Sequence, residues 1–449
     1  MADQIDETVT NVETSSLAPI DLLRESWPSL SSEKRLEEFR ALALEDREDL
    51  FLSLSSNDQS YLLSDMRPSE RRLWIRILPP DDVADVIQHV PPEDRPALLA
   101  LLIPRTRREV EALLAYAEDD AGGLMSPRFI RIRPDVTVDV AIRYLRAQAR
   151  QELEAYQYAY VLNSEQRLLG VISFRQLLLA PSDRQVREVM TTDTITLPED
   201  MDQEEVGRRF MESGLAAIPV TDAEGHMKGI VTVDDVVDVV QEEATEDIQK
   251  IGGSEAFDEP YPQIRFAKMI QKRAGWLTVL FLGEMFTATA MAYFEREIER
   301  AVVLALFIPL IISSGGNSGS QAASLIIRSL ALRELNLRDW WKVFLRELSS
   351  GLALGTILGS IGFLRILLWP QREALYGEHY VLLGLTVAVS LVGVVLWGSL
   401  TGSMLPFLLR WLRFDPATAS APFVATLVDV TGLVIYFTAA SVFLSGTLL

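Results

Sequence analysis

Cysteine is absent from this chain and histidine nearly so, with only His89, His226 and His379 among 449 residues. The first absence excludes disulfides, thiolate metal centres and cysteine nucleophiles. The second leaves no histidine pair at a metal-ligand spacing. No glycine-rich phosphate loop followed by lysine is present, and no nucleophile has a matching base, so the expectation is a protein that is not an enzyme. Basic charge is also in deficit. Lys and Arg number 42 against 63 Asp and Glu, a net charge of −21, and the whole surplus falls before residue 265. Such a region repels nucleic-acid phosphates and suits either cation binding or plain solubility. The residues after Met1 are polar and acidic, without the apolar core of an export peptide.

What the second part has instead is hydrocarbon. Apolar runs at about 274–294, 301–327, 349–369, 380–409 and 416–444 are each long enough to cross a layer roughly 30 Å thick, giving five spans. The basic residues sort by side. Arg265, Lys268, Lys272 and Arg273 precede the first run, Arg328, Arg333, Arg338, Lys342 and Arg346 lie between the second and third, and Arg410 and Arg413 lie between the fourth and fifth. Positive-inside orientation then places the acidic part in the cytoplasm and the C-terminus outside. Trp340 and Trp341 read as an interfacial helix.

Within the last run, PATASAPFVATLVDVTGLVIYF, stands one carboxylate, Asp429. A charge at mid-membrane costs roughly 2.5–3.5 kcal/mol, so it faces a bundle interior or a watery path. No basic residue in the same run neutralises it, and a cation is the simplest partner. The competing reading is an Asp with structural work only. Glu284 in the first run is a second such carboxylate. The second run contains PLIISSGGNSGSQAASL, where Pro309, Gly315, Gly316 and Gly319 are expected to break the helix and free carbonyls for a hydrated ion. Alternatively these small residues form a close-packing face.

The soluble part begins with a tail at 1–18, expected to be disordered. A period of twelve follows from Ala43: ALEDREDLFLSL, SSNDQSYLLSDM, RPSERRLWIRIL, PPDDVADVIQHV and PPEDRPALLALL. Each unit opens on Ser, Pro or acidic residues and closes on apolar residues at helical spacing, which predicts a superhelix of short helices. Asp81 and Asp85 share a face there. A duplicated pattern comes next. MSPRFIRIRPDVTVDVAIRYLR from Met125 is echoed by MTTDTITLPEDMDQEEVGRRFM from Met190, and LLGVISFRQLL by MKGIVTVDDVV. The helix VDDVVDVVQEEATEDIQKIGG then sets Asp235, Asp238, Glu242, Glu243, Glu246 and Asp247 at spacings of three and four. Like charges so placed disfavour a helix, and divalent cations reverse that penalty; an exposed acidic linker is the alternative.

The duplicated pattern resembles a tandem pair of CBS domains. That resemblance implies an adenosine nucleotide, ATP, with Thr232, Ser173 and Arg175 as candidates; Thr232 to Asp235 keeps the ribose-binding spacing, while the first half has Ser173 to Gln176. The order of parts as a whole, with PLIISSGGNSGSQA and DPATASAPFVATLVDVTGLVIYF in the second and fifth spans, resembles the MgtE family of magnesium channels. The implied fold class is multi-domain: an all-α short-helix N-terminal domain (19–124), α/β CBS domains (125–189 and 190–240), an acidic linking or plug helix (241–262) and a five-helix membrane domain (263–449). The implied assembly is a homodimer in the lipid of the cell (inner) membrane, carrying divalent cations and no nucleic acid, with Mg²⁺ as both substrate and regulatory ligand. In the pore, Asp429 would hold hydrated Mg²⁺ with Ala425, Gly316, Asn317 and a polar Ser320. In the regulatory part, Asp235, Asp238, Glu243, Glu246 and Asp247 would sense Mg²⁺, joined by Asp81, Asp85, Asp202 and Glu204. A non-conducting cation sensor or scaffold is the competing function.

Overall fold

The computed structural model describes residues 19–148, 157–257 and 261–447; the tail expected at 1–18 lies outside them. The chain divides between Glu243 and Ala244 into two compact units.

In the first unit the twelve-residue period is a row of short helices: Leu44–Ser53, Ser56–Asp65, Pro68–Trp74, Pro80–Gln88 and Arg95–Leu99. The starts follow the chemistry of their first residues. The Ser55 side chain accepts the Asp58 N–H, and Pro68 and Pro80 occupy first-turn positions whose N–H no helix needs. Helices of two turns cannot bury much alone, so they share one interior. Phe39, Phe51 and Trp74, from three different helices, meet with ring centroids 5.0–6.2 Å apart. Arg35, buried, bonds Asp58 at 2.8 Å and the Trp27 carbonyl at 3.0 Å, so its charge is paired and its donors are used.

The duplicated pattern gives two three-stranded sheets of the same design. In the first, β1 (Arg131–Ile132) is parallel to β2 (Tyr158–Leu162), which is antiparallel to β3 (Leu168–Ser173). In the second, β4 (Leu197–Pro198), β5 (Ala217–Thr221) and β6 (Met227–Thr232) repeat it. Even the irregularity recurs, between Val161 and Leu162 and between Val220 and Thr221. The two halves interlock where Ser126 exchanges backbone bonds with Ile230 in β6.

From β6 the chain enters the acidic helix Val233–Ile251. Of the linking helix expected at 241–262, residues 241–251 are the later part of this longer helix. It stops where Gly252 and Gly253 follow Ile251, because Gly253 turns to φ 76°, a left-handed conformation that favours glycine.

Among its described residues the second unit holds five helices long and apolar enough to cross a membrane: Phe266–Tyr293, Val302–Ala331, Leu337–Leu368, Tyr380–Trp411 and Ala421–Leu444. Two expectations need correction. Trp340 and Trp341 open the long third helix rather than forming a separate interfacial one. The second helix is unbroken from Ile308 to Ala331, since Pro309 sits in its first turn and costs no hydrogen bond there. Its glycines serve packing instead. A Cβ on Gly319 would stand 2.8 Å from Val424 Cγ1 and 3.0 Å from the Gly398 carbonyl oxygen, so the second, fourth and fifth helices meet backbone to backbone. Gly355 of the third helix is pressed in the same way on Val392 of the fourth. Tyr436, fully buried, finds its acceptor in the Leu304 carbonyl at 2.9 Å. The first helix is packed least: Thr287 alone among its described residues is buried.

Candidate cation sites

Asp429 lies about a third of the way along the fifth span, well inside it, and is half-buried. It has room because its neighbours lack bulk. A Cβ on Gly316 would come within 3.4 Å of Ala425 Cβ and 3.6 Å of Asp429 Oδ1, so the second helix passes its carboxylate at close range. Gly316, Ala425 and Asp429 are thus brought together as the sequence led one to expect. Asn317 is one residue on, exposed, with its amide donating to Ser313 Oγ at 3.4 Å. Ser320 donates to the Ala421 carbonyl at 3.1 Å, tying the second helix to the start of the fifth.

These residues belong to a longer feature. Ser313, Asn317, Ser320, Gln321 and Ser324 recur at helical spacing and make a polar stripe on an otherwise apolar helix, and a groove of about 480 Å³ runs beside Ser320, Gln321 and Ser324. Gln321 and Ser324 were missed in the sequence, although three- and four-residue spacing within SSGGNSGSQAAS would have found them. Glu284 is exposed on the first helix. The two helices approach closely there, with Gly283 set against Thr426.

The second site is in the first unit. Burial pushes the Asp85 carboxyl up to about 8, and the charges of Asp82, Glu118, Asp235 and Glu242 add to it. Burial likewise raises Asp82 to about 6, with Asp234 and Asp238 contributing. Asp238 and Glu242 are themselves held above the usual carboxylate range, first by burial and then by Asp234 and by Glu118 respectively. Carboxylates from the helix Pro80–Gln88, from the segment at 118–119 and from the acidic helix therefore act on one another, with His89 opposing them only weakly at Glu242. Like charges so gathered repel unless a proton or a metal ion joins them.

Of the expected sensors, Asp85, Asp235 and Asp238 are in this group. Asp81 is buried, and its neighbour Asp82 is also in the group. Asp202 caps the helix Gln203–Ser213 by accepting the Glu204 N–H. Glu243 accepts from Gln203 at 2.6 Å. Glu246 is paired with Lys250 in the second unit, along with Asp247 farther down the helix. Asp82, Asp234, Glu118 and Glu242 complete the group.

The nucleotide candidates sit where the two last strands end. Thr232 donates to Asp235, and Ser173 and Gln176 close a reciprocal cap at 2.8 and 3.1 Å. Arg175 is exposed beside them. The turn between β5 and β6 also gathers Asp222, Glu224 and His226, but Lys228 at 3.1 Å and His226 at 3.0 Å already compensate Asp222.

Residues 308–439 match the MgtE family, described as divalent cation transporters, residues 19–119 its intracellular N domain, and residues 121–183 and 186–242 the CBS domain. The chain is 44% identical over 346 residues to the magnesium transporter MgtE of Thermus thermophilus, covering 77% of this chain and 75% of that protein. It is 34% identical over 337 residues to the magnesium transporter MgtE of Enterococcus faecalis, covering 75% and 72%. Among solved structures it is similar to the cytosolic domain of the Mg²⁺ channel MgtE in complex with ATP, at 39% identity and a TM-score of 0.46, over 50% of this chain and 91% of that one.

Proposed function

We propose, from the premise that this chain belongs to the MgtE family of magnesium transporters, that it is a homodimeric, Mg²⁺-selective channel that imports Mg²⁺ and closes when cytoplasmic Mg²⁺ is high. The observation that carries this reading is Asp429, set well inside the fifth span against Gly316 and Ala425 beside a polar stripe. Two copies across a two-fold axis would offer a pair of carboxylates to an ion that sheds its water reluctantly, so the ion would pass hydrated and be held through its waters. Asn317 and Ser320, on the same helix, would extend that polar lining. The basic residues near the first, third and fifth spans support a cytoplasmic N-terminal part and an outside C-terminus.

Closure would begin in the acidic group. With no cation, Asp82, Asp85, Asp234, Asp235, Asp238, Glu118 and Glu242 repel one another. Mg²⁺ among them would draw the acidic helix against the short-helix region, and several weak sites would together supply the few kcal/mol that a two-state gate needs. An adenosine nucleotide, ATP, at Thr232, Ser173 and Arg175 belongs to the same proposal as a modulator.

The test is Mg²⁺ entry into liposomes that contain the purified protein and a Mg²⁺ dye. Asp429→Ala should lower entry by at least about tenfold, the effect of ~1.4 kcal/mol at the barrier, and leave a folded dimer. Normal entry through that variant removes the pore assignment. Mg²⁺ binding with no entry through the parent protein favours the non-conducting sensor instead.

A further inference from the structure

The acidic helix Val233–Ile251 contains a single basic residue, in its last turn, and that ammonium is shared between two carboxylates. Lys250 Nζ lies 2.5 Å from Glu246 Oε1, one turn back on the same helix. It lies 2.7 Å from Asp415 Oδ2, in the connection between the fourth and fifth spans. Asp415 also works locally: its Oδ1 accepts the Ala417 N–H at 2.8 Å and so caps the turn Pro416–Thr418 that leads into the fifth span. Partial burial disfavours the Lys250 charge, but the bonds to Asp415 and Glu246 outweigh it and hold the ammonium above its ordinary range. It stays charged throughout the pH range in which cells live.

The contact continues beyond the ion pair. Ile251 packs against the apolar core of the second unit. Gly253 is seated so closely that a Cβ would stand 3.1 Å from both Pro422 Cγ and Trp276 Cδ1. Trp276 Nε1 in turn donates at 3.2 Å to Ser420 Oγ, and Ser420 is the N-cap of the fifth span. Lys250, Ile251 and Gly253 therefore all pack within the second unit, Lys250 on the turn that leads into the helix carrying Asp429 and Gly253 on Pro422 in that helix's first turn.

We propose that Lys250 is a positioning residue of the gate, a built-in cation that fastens the foot of the acidic helix to the entrance of the pore helix. The proposal rests on the channel reading above and adds two things to it. Glu246 is held by Lys250, so it belongs to the fastening rather than to the open Mg²⁺ ligands. Movement at Glu242 reaches the fifth span through about 12 Å of continuous helix, at 1.5 Å per residue, and passes through this one ionic joint. Without the joint, Mg²⁺ still binds but the pore follows it less.

The experiment uses the full chain in liposomes, with Mg²⁺ varied on the cytoplasmic face. Lys250→Gln should keep maximal entry and raise the Mg²⁺ needed for half-closure by about 3- to 5-fold, the scale of a partly exposed ion pair. Asp415→Asn keeps an oxygen for the Ala417 N–H and should move the curve by a similar factor. The double variant should go no further than either single one, as partners in one interaction do. A Lys250→Gln curve that overlies the parent, or single shifts that multiply in the double variant, overturns the proposal. A second measurement separates it from the channel reading: tryptic cleavage at Arg265 with saturating Mg²⁺ should be faster in Lys250→Gln than in the parent. Should the parent show no entry while cleavage accelerates in the variant, the channel reading fails and the joint stands; cleavage at the parent's rate sinks the joint whatever the flux.

Discussion

At the scale of single residues, Asp85 is where protons and the proposed metal would compete most directly. Its carboxyl is raised to about 8 in the folded protein against an ordinary value of 3.8, and Asp82 to about 6. The folded state therefore binds more protons than the unfolded chain between those limits, and stability without metal is fully present below about pH 4 and falls as pH rises toward about 8. Mg²⁺ must displace those protons, so it should stabilise more at pH 8 than at pH 6. We expect the melting temperature without Mg²⁺ to fall from pH 6 to pH 8.5. Asp85→Asn should flatten that slope and shrink the gain on adding Mg²⁺; equal slopes in both proteins, followed by thermal unfolding, would refute this. Asp85 was legible from its spacing along a helix face. Asp82 was not, because a DD pair shows no preference for one partner until the acidic helix is packed beside it. Asp202 shows two chemistries in one position: an Asp before a helix is as good a cap as it is a ligand, and here it caps.

At the scale of elements, the membrane helices are fixed by what glycine leaves out. Gly319 lies against the Gly398 backbone and Val424, so neither neighbour can yield much. Gly319→Leu should destabilise the detergent-solubilised protein by about 1–3 kcal/mol or more, the range for an overfilled interior. Gly393→Ala is a useful contrast, since its Cβ would meet only the Ile435 Cγ2 at 3.1 Å, the tip of a side chain. It should cost much less, and a comparable loss of thermal stability in the two variants would argue against the packing account. The sequence offered two readings of PLIISSGGNSGSQAASL, an unwound segment or a packing face. The position of Pro309 decides between them, because a proline in the first turn interrupts nothing. The third helix was placed too late from hydropathy alone: its opening turns carry Lys342, Arg346 and Glu347, so they are helical without being apolar. The twelve-residue period, by contrast, was read almost unit by unit, since Ser and Pro openings mark helix starts through purely local chemistry.

At the scale of the whole molecule, a net charge of −21 whose whole surplus falls before residue 265 is a field that cations must answer. Asp238→Asn with Glu242→Gln removes two charges from the acidic group without touching a described cap or ion pair. The double variant should need about tenfold more internal Mg²⁺ for half-closure, a coupling loss of ~1.4 kcal/mol. A parent-like closure curve, measured in the same liposomes, would remove the sensor role. Family and domain order were legible because two membrane motifs and a repeat are local strings. Which carboxylates converge was not, since Glu118, Asp82 and Asp234 come from three separate stretches and meet only by tertiary packing.

The first span has Thr287 as its one buried residue, and its foot is hydrogen-bonded through Trp276 to the cap of the fifth. A helix so loosely embraced by the rest of its chain would settle its tilt with the surrounding acyl chains wherever these cover it, and short or long chains would tip it differently. Any such tilt pulls on Ser420. The thickness of the bilayer thus becomes an input in its own right, and conduction should drift with lipid chain length even when every ion concentration is held constant.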